Sequence, residues 1–505
     1  MKKYTIYICL LLSLMGTACK KYLDQNPKDA LASGDFWQKK SDFDQALAAA
    51  YSSLQAAEFA VELPVWDCFT DNGYAQHNSG SAKEIVSGSI SSTTGGYIPQ
   101  LYKDAYAGIA RINIFLMQLA KYTGPDFPDA DKKKYEAEAR FLRAYFYFQL
   151  YNIYGDVPVV LEPLSLETQN QAKVAAPDVL KQVLADADFA IANLNAAPYY
   201  QNGGHACVSS AQALKARTLI FAAYGANGTP DAALLTQVRD LTLQIQAQYK
   251  LSANFEDVFR DASQKGNTEI IFSINFLAPN NTAPWDMYYG DWLVASPLQN
   301  FVNDFECTDG LPYGTSPLTN PAAPFENRDP RLKKTVFVDH PDFGGGKIHT
   351  PSNSRPTGYG VMKFLVPENI PYGFSTLSQQ NAVVFRLAEI LLMYAEAQNE
   401  LTGPDATVYK AMTDLRARVG MPPYPAGLTK DQMRQRIRHE RRIELAFEGL
   451  RYFDLRRWHT ANTVLNAVKD GINPYHYEDK FYHWPLPQPE IDKSGGVLVQ
   501  NPEYK

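Results

Sequence analysis

Residues 437–458 read "IRHERRIELAFEGLRYFDLRRW" and place six arginines, four acidic residues and four aromatic rings in twenty-two positions. Three roles compete for such a stretch: a basic helix for nucleic acid, an acid cluster for catalysis, or a scaffold element. Upstream, Thr429 followed by Gln432 is a capping-box start, and Gly449 suits a left-handed helix end. Between them, Ile443, Ala446, Phe447 and Leu450 fall at the spacings of one apolar helical stripe. Glu440, Glu444 and Glu448 align four apart on another face, with Arg441 one turn from Glu444 and Arg451 one turn from Glu448. A nucleic-acid helix does not neutralise its own arginines in this way. The stretch reads as an ion-pair ladder that holds a fold together.

The same design recurs along the chain. "SDFDQALAAAYSSLQ" offers Ser41 as N-cap and sets Phe43, Ala46, Leu47, Ala50 and Leu54 on one face. "YEAEARFLRAYFYFQLYNIYGDVPVV" is a long aromatic helix stopped by Gly155 and Pro158. "SSAQALKARTLIFAAYGANG" and "FRLAEILLMYAEAQNELTGP" repeat the pattern of a small-residue apolar helix followed by glycine. Such pairs are like tetratricopeptide repeats with a degenerate period. Residues 255 to 380 differ: proline, glycine, asparagine and aromatics crowd together, with short strand-like runs such as "EIIFSINF". That segment is expected to form loops with small sheets, where binding residues concentrate.

Composition narrows the function. The net charge of −6 lacks the counterion-release term that drives nucleic-acid binding. Aromatics make up 12% of the chain, and tyrosines account for 31 of them. A flat face with a polar tip suits a wet binding surface, and equally a tyrosine-rich core. "MKKYTIYICLLLSLMGTAC" has a charged start, an apolar core too short to span a bilayer, and small residues before Cys19. Residues 1–18 therefore read as a signal peptide, Cys19 as the lipidated residue of a lipoprotein, and 19–34 as an extended leader. Removing 1–18 takes away Lys2 and Lys3 and moves the net charge to −8. Cys68, Cys207 and Cys307 allow one disulfide, with Cys68–Cys307 one option, and match no zinc spacing.

The stretch at 439–458 resembles the C-terminal signature of the RagB/SusD family of outer-membrane nutrient-binding lipoproteins. "LDQNPKDALASGDFW", "EARFLRAYFYFQLYNIYGDVPVV", "FECTDGLP", "NRDPRL", "FRLAEILLMYAEAQNEL" and "WPLPQPEI…VQNPEY" resemble further family segments in family order. The resemblance implies a mostly α-helical fold: a tetratricopeptide-like right-handed helical repeat scaffold, with a loop-rich ligand-binding half containing short strands. It implies a helical N-terminal region at 35–254 and a C-terminal region at 255–505 carrying the binding loops and the late repeat helices. It also implies a non-enzymatic surface lipoprotein that captures oligosaccharide and delivers it to a SusC-like TonB-dependent outer-membrane barrel. A peptide-binding member of the same family, a surface glycosidase and a helical adaptor for protein partners are the rivals.

Enzyme motifs are poor: there is no HExxH, GxSxG, CxxC or GxxxxGK[ST], and no cofactor or metal is expected. "DFGGGK" at 342–347 lacks its partners and reads as a glycine turn. Sugars have apolar ring faces and a hydroxyl rim, so a binder sets flat aromatics beside carboxylates and amides. Two loops supply that pairing, "PVWDCFTDNGYAQHNSG" and "APWDMYYGDW". Trp66, Asp67, Asp71, Asn72, Trp285, Tyr289 and Trp292 are the expected ligand contacts, and Trp37, Trp458 and Trp484 are expected in the core.

Overall fold

The computed structural model describes residues 36–225, 228–337, 346–469 and 471–505. The expected signal peptide, Cys19 and leader lie outside the described residues, as does most of the glycine turn at 342–347. Among the described residues, ten helices of seven residues or more carry the architecture: α1 Lys40–Ser52, α2 Tyr97–Lys121, α3 Asp129–Tyr154, α4 Ala176–Asn193, α5 Val208–Ala222, α6 Ala232–Gln246, α7 Leu387–Thr402, α8 Ala406–Arg418, α9 Lys430–Glu444 and α10 Arg451–Arg457. Each of α1 to α7 packs on the next, α7 packs on both α8 and α9, and α10 folds back on α5. The result is the expected mostly helical, tetratricopeptide-like array.

Local chemistry explains the boundaries. Helix α1 starts at Lys40 without Ser41 as its cap; the Asp42 carboxylate accepts from the Gln38 and Lys39 amides instead. Phe43, Leu47, Ala50 and Leu54 are buried as the periodicity requires. Helix α3 ends at Gly155, whose φ of +70° costs a residue without Cβ little. Its middle is buried on every side, and Ala137, Ala139 and Ala144 give neighbouring helices close approach.

Helix α9 keeps the expected capping box, since Thr429 Oγ1 accepts from the Gln432 amide and Gln432 Oε1 from the Thr429 amide. It ends at Glu444, earlier than the apolar stripe suggests. Ala446, Phe447 and Leu450 are buried in a turn, with Phe447 at φ +62° and Gly449 at +77°. Buried cations take the carbonyls at and just beyond its end. Lys363 Nζ donates to Glu444 O and Ala446 O at 3.0 Å each, and Arg386 Nη2 donates to Glu444 O at 2.8 Å.

Between α6 and α7 the chain leaves the array for the loop-rich half. It departs through β2 (Ile270–Ile274) and returns through β6 (Ala382–Arg386), which pairs antiparallel with β2 and runs directly into α7. Two further antiparallel pairs brace the loops: β1 (Gly73–Ala75) with β3 (Ala295–Pro297), and β4 (Val336–Phe337) with β5 (Gly360–Val361). Cys68, Cys207 and Cys307 are buried free thiols, so no disulfide joins Cys68 to Cys307.

The glutamate row at the end of α9 and in the turn after it is a scaffold element, with partners far away in sequence. Glu440 bonds Arg331 and Arg416, Glu444 bonds Arg331, Arg386 and Arg418, and Glu448 bonds Lys363 and Arg386. Arg441 pairs with Asp454 and Arg451 with Asp71, which replaces the one-turn pairs expected within the helix.

Candidate functional site

The β1–β3 pair brings the two aromatic loops together, with Tyr74 opposite Ser296 and Ala75 opposite Ala295. Immediately after β1, His77, Asn78, Gly80 and Ser81 all take positive φ, and Leu293 does so just before β3. Runs of left-handed non-glycine residues store strain and cluster where a protein presents groups to a ligand. Before β3, Asp286–Asp291 forms one π-helical turn.

That turn decides which aromatics face out. Trp285 is 1% exposed and stacks on Phe364 at 4.9 Å; Tyr289 is fully buried and donates its hydroxyl to Val61 O at 2.6 Å. Tyr288 and Trp292 remain partly exposed and stack at 5.6 Å with planes 16° apart. Phe374, 85% exposed, meets Trp292 edge-on at 5.3 Å.

In the first loop, Trp66 stacks on Trp484 at 5.5 Å inside the core and donates Nε1–H to Glu58 O at 3.0 Å. Asp67 is fully buried and accepts from Asn72 Nδ2 and the Gly449 amide. Burial pushes its carboxyl up to about 6. Asp71 is held by Arg451 and Arg442; burial raises its carboxyl, but the two guanidinium charges outweigh it and set it at about 2. Asn72 bonds both Asp67 and Arg442. Trp66, Asp67, Asp71, Asn72, Trp285 and Tyr289 are therefore packing or bracing groups, and of the seven expected contacts Trp292 lines the aromatic cavity. Trp458 and Trp484 are in the core as expected, and Trp37 packs half-buried against it.

The cavity beside Trp292 measures about 430 Å³ and is lined by Glu62, Gln76, His77, Ser79, Tyr288, Trp292, Val294 and Asn353. Its floor is the Tyr288–Trp292 stack and its rim is polar. Gln76 is anchored by its backbone amide to Val294 O at 2.9 Å, and its side-chain Oε1 is buried without a protein partner. Glu62 accepts from the Tyr97 hydroxyl at 2.6 Å; burial raises its carboxyl, and the Tyr97 bond opposes the rise. Asn353 Nδ2 donates to Trp292 O at 3.0 Å and contacts His77 Nε2 at 2.9 Å. Its segment is fixed by Asp291, whose carboxylate accepts from the Ser352 amide and hydroxyl and meets His349 Nε2. Glu62, His77, Ser79, Asn353 and Phe374 escaped the reading of the sequence. None of them except His77 and Ser79 lies in a quoted aromatic loop, and only the i, i+4 spacing of Tyr288 and Trp292 hinted at a shared face. A stacked aromatic floor with amide, imidazole and carboxyl groups around it is suited to a polar ring with two faces and a hydroxyl edge.

Comparison with known proteins gives the same family along nearly the whole chain. The family model described as "SusD family" matches residues 255–504, and the one described as "Starch-binding associating with outer membrane" matches 21–220. A SusD-like protein of Formosa agariphila is 26% identical, with 100% of both chains covered. The crystal structure of a SusD-like protein from Bacteroides fragilis superposes with a TM-score of 0.76 at 25% identity, covering 95% of this chain and 100% of that one. A laminarin-binding SusD-like protein shares the fold with a TM-score of 0.71 at 23% identity, covering 92% and 99%.

Proposed function

Because the chain belongs to the SusD family, whose members bind glycans and associate with the outer membrane, we propose that it captures oligosaccharide in the Tyr288–Trp292 cavity for import. The observation that carries this reading is the stacked Tyr288–Trp292 pair beneath an unpartnered Gln76 Oε1 and the Asn353 amide. A sugar face packs on the stack while its hydroxyls bond the rim. We assign no chemistry to the site: Glu62 is the one carboxylate among the described lining residues, whereas glycoside hydrolysis commonly uses a facing pair. Delivery to a TonB-dependent barrel and attachment through a lipid on Cys19 complete the proposal.

Calorimetry against neutral oligosaccharides and peptides tests it. At least one oligosaccharide should bind, with Trp292→Ala weakening it several-fold, since a stacked aromatic contributes about 0.5–1.5 kcal/mol beyond its buried area. Binding of peptides alone, or sugar binding indifferent to Trp292→Ala and Tyr288→Ala together, overturns it. In cells, Cys19→Ala should move the protein from the membrane to the soluble fraction, because stable attachment depends on the full lipid; retention in the membrane refutes the anchor.

A further inference from the structure

Arg456, like the less buried Arg438, differs from the other arginines of the C-terminal motif in having no ion pair among the described residues. Arg441 bonds Asp454, Arg442 bonds Asp71 and Asp304, Arg451 bonds Asp71, and Arg457 bonds Asp454 and Glu396. Arg456 is 2% exposed, yet among the described residues it has no carboxylate in ion-pair range. Its Nη2 donates to the carbonyls of Asn152 and Tyr482, while Nε and Nη1 have no protein partner. The rings of Tyr452 and Tyr482 lie 5.2 and 5.1 Å from the guanidinium carbon, which eases its burial but supplies no acceptor. A buried cation without an anion is costly, so this arrangement calls for one from outside.

Arg456 is one of the residues lining a cavity of about 360 Å³ between the ends of α5 and α10 and the C-terminal segment. Two more of its groups, the Tyr477 hydroxyl and His459 Nε2, are buried without protein partners. His459 lies parallel to Tyr482, 5.0 Å away at 6°, so one wall is aromatic. Burial first, then the charge of Arg456, pushes the His483 imidazole down to about 4 and keeps it neutral. The exposed Asp479 sits on the rim, bonded to Asn462 at 3.3 Å, and is the one acidic residue among the cavity's described lining residues.

We propose that this cavity is a second ligand site, taking one carboxylate on a body the size of a sugar ring, such as a hexuronate. The carboxylate accepts from Arg456 and from the Tyr477 hydroxyl, and the ring packs against the aromatic wall. The volume exceeds what a bare ion needs and lies at the lower end of small-ligand pockets. The site shares no lining residue with the aromatic cavity.

Calorimetry with glucuronate, glucose and acetate tests this. Glucuronate should bind, with glucose and acetate each at least tenfold weaker. Since Arg456→Gln removes a buried bracing group, two milder variants carry the test. Tyr477→Phe should weaken glucuronate about threefold or more without lowering the melting temperature, in line with the loss of one hydrogen bond to a charged group. Asp479→Asn should tighten it two- to threefold by removing the rim charge. Trp292→Ala should leave it unchanged, which separates this site from the neutral-glycan cavity. Failure of glucuronate to bind at tens of millimolar, acetate binding equally well, or indifference to both Tyr477→Phe and Asp479→Asn each overturns the proposal.

Discussion

Asp67, Asp286 and Asp291 each stand beside a tryptophan, and each spends its carboxylate on the protein. Asp67 holds Asn72 and Gly449; Asp291 holds Ser352 and His349; Asp286 accepts from the Val366 amide, Asn369, Ser378 and Gln380. A buried carboxylate with several donors is a hub that fixes loop backbone, and beside Asp67 and Asp286 the adjacent tryptophan is a buried apolar plug. Two classes of tryptophan follow. Trp66→Ala and Trp285→Ala should each cost on the order of 3–5 kcal/mol of stability through the cavity left behind, while Trp292→Ala should leave the melting temperature within a few degrees and act on binding. Chemical denaturation of the three variants checks this, and equal destabilisation by all three would contradict the division. Proximity in sequence placed aromatics and acids in the right loops. It could not tell which way they point, because a six-residue π-turn sends Trp285 and Tyr289 inward and Tyr288 and Trp292 outward.

At the scale of the element, α9 carries a charged face that is buried in the protein. Glu440 and Glu444 are fully buried and receive guanidinium groups from α8, from β6 and from Arg331 in the loop half. Burial alone would raise the Glu444 carboxyl, yet Arg418, Arg386 and Arg331 hold it well below the usual range. Glu444→Ala strips an acceptor from three buried cations, so it should cost about 3–5 kcal/mol, measured by denaturant unfolding, and leave glycan affinity of the folded fraction unchanged. The acid limb of stability tests the same logic. Burial pushes Glu396 up, Arg457 outweighs it, and the carboxyl moves from 4.5 to about 2. A carboxyl depressed by folding contributes stability that is complete above its unfolded pKa and drains as pH falls through the folded one. The wild-type melting temperature should therefore drop between pH 4 and 2, with a shallower slope in Glu396→Gln. Asp67, raised to about 6, works in the opposite direction and only above pH 4, so it does not blur that window. The sequence revealed the helix, its capping box and its structural character. Its partners were not legible, because Arg331, Lys363 and Arg386 come from segments far away along the chain and reach α9 only through the fold.

On the scale of the whole molecule, the helical array and the loop half are joined where the chain leaves and returns. β2 and β6 form the neck, Glu269 precedes β2, and Arg386 closes β6 onto Glu269, Glu444 and Glu448. Arg331 and Lys363 from the loops enter the same buried set, and helix α6, on one side of residue 254, packs along α7 on the other. A cut at 254/255 would expose that helix face and leave buried charges without partners, so the two regions expected from the sequence should share one stability. We predict a single cooperative thermal transition for residues 36–505, with calorimetric and van't Hoff enthalpies that agree. Glu444→Ala should shift that transition as a whole instead of splitting it, because the residue bonds Arg331 from the loops and Arg418 from the array at once. Two resolved transitions, or a loop half that melts while the helices persist, would show that the neck transmits less than its ion pairs imply. Coupling of this kind matters for the proposed role. The aromatic cavity is built by loops whose positions depend on β1, β3 and the Asp291 hub, and a rigid connection to the helices keeps the floor in place while cargo is bound and released.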